Sequence, residues 1–63
     1  MLEQALLREQ FQDLLVKERQ AWQSYSELAS QAETDRIRDQ LRQLCRDKQR
    51  HIELAERLLE ILE

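Results

Sequence analysis

A carboxylate, an amine and an imidazole interrupt two stripes that are otherwise apolar or small. The first stripe reads Leu7, Phe11, Leu14, Glu18, Ala21, Tyr25, Leu28, Ala32, and the second Ile37, Leu41, Leu44, Lys48, His51, Ala55, Leu58, Leu62. Alternating steps of four and three residues place each stripe on one face of an α-helix. Glu18, Lys48 and His51 therefore stand where a hydrophobic seam should continue. Charged groups are costly to bury unless they are paired or bound to a metal. Carboxylates with a nitrogen ligand suit iron, manganese or zinc; a carboxylate beside an ammonium makes an ion pair instead.

The elements that must position these residues follow from the phase of the stripes. Beyond Ala32 the first pattern would continue at Asp35 and Asp39, yet the apolar series resumes at Ile37 and Leu41. That slip falls at Glu33-Thr34-Asp35, where Thr34 or Asp35 can cap a new helix. The spacing predicts two helices, about 2–32 and 35–62, folded as an antiparallel hairpin rather than one rod. In that hairpin Glu18 is level with position 49, between Lys48 and His51, so all three interruptions meet in one layer.

Composition supports an all-α reading. The chain has 63 residues, no Gly and no Pro, and a net charge of −3. It is expected to form a single module, 1–63, too small to bury a comfortable core alone. Cys45 is the only cysteine, so no disulfide closes within the chain, and a lone thiol fits a reducing compartment. No apolar run approaches a membrane span and no secretory h-region is present, so a cytoplasmic protein is expected. The negative charge gives no general attraction to nucleic acid or anionic lipid.

The apolar faces are wider than a two-helix seam requires. Leu15, Trp22 and Ala29 flank the first stripe; Cys45, Ile52 and Leu59 flank the second, with Leu54 and Ile61 opposite. Dimerisation into a four-helix bundle would cover them, which makes the chain itself the expected partner.

The segments Glu18-Arg-Gln-Ala-Trp22-Gln-Ser-Tyr25-Ser-Glu-Leu-Ala29 and His51-Ile-Glu-Leu-Ala-Glu-Arg-Leu-Leu, joined through the acidic turn near Asp35, carry a family likeness. Over roughly residues 14–62 the chain resembles one helical pair of the ferritin-like superfamily, most of all rubrerythrin-like proteins and two-helix encapsulated ferritins. That resemblance implies Glu18 as the first-helix metal ligand, His51 as the histidine of a Glu-x-x-His pair, and Tyr25 as a neighbouring core tyrosine. The chain departs from the pattern at the position of the motif's glutamate, which is Lys48. A protonated lysine cannot bridge two metals, and this disfavours a working di-iron oxidase.

Several readings of the layer remain open on the residues. A Lys48–Glu18 ion pair replaces the di-metal centre, or two copies each of Glu18 and His51 hold a single divalent iron, manganese or zinc ion. Alternatively the pair only sets register in a bundle that binds no cofactor. Asp47 is expected to accept the ring N–H of His51, either as a simple partner or to orient it for a metal. Tyr25 and Trp22 read as core aromatics and Cys45 as a small core residue. Arg38, Arg42, Arg46 and Arg50 form a basic strip, read as a solvated face with i,i+4 pairs such as Asp39–Arg42. The strip's alternative use is to bind an acidic protein or RNA. No nucleophile triad, phosphate-cradling loop or cysteine zinc motif appears, so other enzyme classes have no residues to carry them.

Overall fold

The structure, a computed structural model, describes residues 2–62 as two helices, α1 (Leu2–Gln31) and α2 (Asp35–Leu62). Among the described residues there is no strand. At about 1.5 Å per residue the helices are roughly 45 and 42 Å long. They pack against each other along that length as an antiparallel hairpin. None of the described helices is long and apolar enough to cross a membrane.

The turn closes without glycine, and none of the described residues has a positive φ. Side chains supply what a left-handed cap would have given. Thr34 Oγ1 accepts the Ile37 amide at 3.3 Å and the Thr34 carbonyl accepts the Arg38 amide at 3.1 Å, which makes Thr34 the N-cap of α2. Arg38 then reaches back across the turn. Its guanidinium donates to the Ala32 carbonyl at 3.0 Å and pairs with Asp35 at 2.9 Å. A residue of the expected solvated strip is thus a clamp on the end of α1.

The buried core is thin: Leu15, Ala29, Ile52, Ala55 and Leu59, with Phe11 packed against it. Its position corrects the expected seam. Each expected stripe is split, with one half in the interface and the other half mostly outside it. Phe11, Glu18 and Tyr25 of α1, Ala32 just beyond its end, and Leu41, Lys48, Ala55 and Leu62 of α2 are buried or half-buried. Leu14 (45% exposed), Leu28 (50%), Ile37 (50%) and Leu58 (42%) face outward instead. The expected flank residues Leu15, Ala29, Ile52 and Leu59 take their places. The stripe spanned two heptad positions, and only two helices are present to share each face. Packing centred itself one position further round, where Phe11, Leu15 and Ile52 interlock.

The displaced residues share one side of the hairpin. In α1, Leu14 and Leu28 each precede a buried residue; in α2, Leu44 and Leu58 precede Cys45 and Leu59. One residue back is a rotation of about 100° around each helix axis. Because the helices run in opposite directions and their buried faces point at each other, that rotation carries both rows to the same side. The radius of gyration is 14.7 Å, whereas a compact domain of this length would have about 11 Å. Two long helices side by side leave a large apolar flank in water.

Candidate functional site

The hairpin does bring the three interrupting residues together near its middle. Glu18 projects from α1 with its side chain 16% exposed, and each of its carboxylate oxygens has a separate partner on α2. Lys48 Nζ donates to Oε1 at 3.3 Å, and His51 Nδ1 lies 3.3 Å from Oε2. With its proton on Nδ1 the imidazole donates to that oxygen. Lys48 is 25% exposed and His51 50% exposed, so the layer grades from the seam outward to the apolar flank.

The local reason is helical register. Lys48 and His51 are one turn apart on α2, so their side chains lie side by side and bracket the height of Glu18. Around them Phe11 and Leu15 on one side and Tyr25 on the other keep the layer between apolar steps of the seam. No buried side-chain nitrogen or oxygen lacks a partner among the described residues.

Asp47 is placed differently from expectation. Its carboxylate accepts from Gln43 Nε2 and from the Arg50 guanidinium, both at 3.2 Å, and the acceptor beside His51 is Glu18. Asp47 is half-buried on α2, where the Arg50 side chain one turn later reaches it. Tyr25 is half-buried in the seam one heptad after Glu18. Cys45 is partly buried, and its thiol lies 3.9 Å from the Trp22 carbonyl.

The donor set of one hairpin does not match a di-metal centre. Glu18 and His51 are a single oxygen–nitrogen pair, and the Lys48 ammonium sits on one of the two Glu18 oxygens. Among the described residues no three of His, Cys, Asp and Glu converge. What this arrangement does chemically is neutralise a half-buried carboxylate with an ammonium while an imidazole completes its hydrogen bonding.

The other side of the hairpin carries a groove of about 610 Å³ lined by Trp22, Ser26, Ser30, Arg38, Arg42 and Arg46. Arg50 has turned away from it, because steps of four residues drift around a helix of 3.6 residues per turn. The Arg38 and Arg46 guanidinia are engaged, the latter by Gln43 at 2.7 Å, whereas Arg42 has no hydrogen bond among the described residues. The expected Asp39–Arg42 pair is absent from the ion pairs of the described residues. A cross-helix pair that sequence spacing did not reveal, Arg19–Glu56 at 3.2 Å, ties the helices together on this side.

No protein-family profile, no curated protein and no solved structure matches this chain.

Proposed function

We propose that the chain is a self-associating helical hairpin that pairs into a four-helix bundle, in which the Glu18–Lys48–His51 layer fixes register. One observation carries this reading: two rows of large apolar side chains, on α1 and on α2, lie exposed on the same side of one hairpin. Covering them removes the principal apolar surface that folding of a single chain leaves in water. The layout follows a ferritin-like or rubrerythrin-like pair, with the lysine ion pair standing in for the metal-bridging glutamate. On this reading the layer is a degenerate metal site and the module is not an enzyme. The alternative metal chemistry, one divalent ion held by Glu18 and His51 from both copies, needs Lys48 to swing aside.

Light-scattering mass and metal content, measured on protein exposed to iron, manganese and zinc, test the proposal. A metal-free dimer indifferent to chelators is expected. Stoichiometric metal that disappears in both Glu18→Ala and His51→Ala would move the reading to the single-ion site.

The arginine groove favours a second use, docking of an acidic protein or RNA, since Arg42 lines it with Trp22 and has no hydrogen bond among the described residues. That use requires no change in the dimer, because the groove and the apolar rows lie on opposite sides.

A further inference from the structure

We infer that the two hairpins of the dimer pack antiparallel, with the turn of each lying over the open end of the other. The inference rests on the self-association proposed above and specifies its geometry. The occupant of the apolar flank is a second copy of this chain.

The apolar rows are compatible with either orientation. Leu7, Leu14, Ala21 and Leu28 form the α1 row, and Ile37, Leu44, His51 and Leu58 the α2 row. Laid antiparallel, Leu14 meets the partner's Ala21, and Leu44 meets the partner's His51. Laid parallel, Leu14 meets the partner's His51 and Leu44 the partner's Ala21. Both arrangements oppose large residues to small or polar ones near the middle and large residues to large ones towards the ends, so shape does not choose.

Charge does. The sequence segments 1–17 and 51–63, whose described residues 2–17 and 51–62 form the open half of the hairpin, contain seven acidic and three basic side chains. Residues 18–50, the turn half, contain six acidic and seven basic ones. The open half therefore carries −4 and the turn half +1. A parallel dimer stacks the two −4 halves at one end; an antiparallel dimer sets −4 against +1 at both ends. Like-charge stacking over the length of an interface is unfavourable, and opposite charge steers the encounter.

The rim near the dyad agrees on the α2 side. There α2 runs antiparallel to its copy, and Asp47 comes level with the region of the partner's Arg50, so that two Asp47–Arg50 pairs become a four-charge cluster. On the α1 side Lys17 approaches its own copy, and Asp13 one turn earlier offsets that charge. The dyad passes close to the polar layer, so both Glu18–Lys48–His51 sets sit near the centre of the bundle. The exposed half of each imidazole is then covered.

A nitroxide at the turn reads the orientation directly. Glu33→Cys in a Cys45→Ser background places the label on an exposed residue outside the apolar rows and the polar layer. Pulsed electron–electron distance measurement on a dimer of confirmed mass should give about 50 Å, from roughly 16 residues on each side of the dyad at 1.5 Å rise. A parallel dimer brings both turns together and gives about 20 Å, the width of two helix layers at about 10 Å each. A single short distance, or two populations, overturns the antiparallel geometry while leaving self-association intact. A monomeric mass overturns both.

Discussion

Glu18 holds Lys48 through one oxygen and His51 through the other, both at 3.3 Å, and this double engagement explains how Glu18 and Lys48 persist in the seam with His51 at its outer edge. Truncating one member of a fully buried ion pair costs about 3–5 kcal/mol, but here both partners keep some solvent and screening reduces the effect. The layer is therefore expected to add little to stability, and on the proposed reading its part is to fix register. Lys48→Glu tests how closely it follows a metal site. The new carboxylate would stand three residues before His51 and face Glu18, so the metal-free variant should be less stable by about 1–2 kcal/mol through like-charge crowding. Iron, manganese or zinc should restore that loss and be retained through gel filtration. A folded dimeric variant that takes up no metal and shows no rescue would remove the link to a metal-binding layout.

The helices and their turn were largely legible from residue order. The slip from Ala32 to Ile37 located the reversal, and Thr34 does cap α2 through its hydroxyl. The meeting of Glu18 with Lys48 and His51 followed from counting outward from that turn. Two things were not legible. Heptad spacing marks a face about 100° wide, and it does not say which edge of that face meets the neighbouring helix. Leu15 and Ile52 rather than Leu14 and His51 turned inward because packing, not periodicity, decides that rotation. Long flexible side chains were the other gap, since Arg38, Arg50 and Arg19 found partners that spacing alone does not rank. The turn itself yields a test. Thr34→Ala removes the acceptor of the Ile37 amide and should destabilise the fold by about 1 kcal/mol in chemical denaturation, with the slope unchanged. An unchanged midpoint would mean that Arg38 and Asp35 hold the turn without the cap.

A molecule measuring 51 × 14 × 10 Å with five buried residues among those described has too little interior to stand comfortably by itself. Its apolar side chains are divided between a narrow seam and an outward flank, and its charge is divided between an acidic open end and a slightly basic turn end. In the proposed dimer a second copy would resolve both divisions. Folding and association should then be one event, because the flank that completes the core belongs to the partner. The most direct measurement is the melting temperature followed by circular dichroism across protein concentration. For a coupled dimer of this size, a hundredfold increase in concentration should raise Tm by roughly 10 °C. A melting temperature that stays constant over that range, with full helicity at the lowest concentration, would contradict the account, since the hairpin would then be stable alone and its apolar flank would have some other purpose.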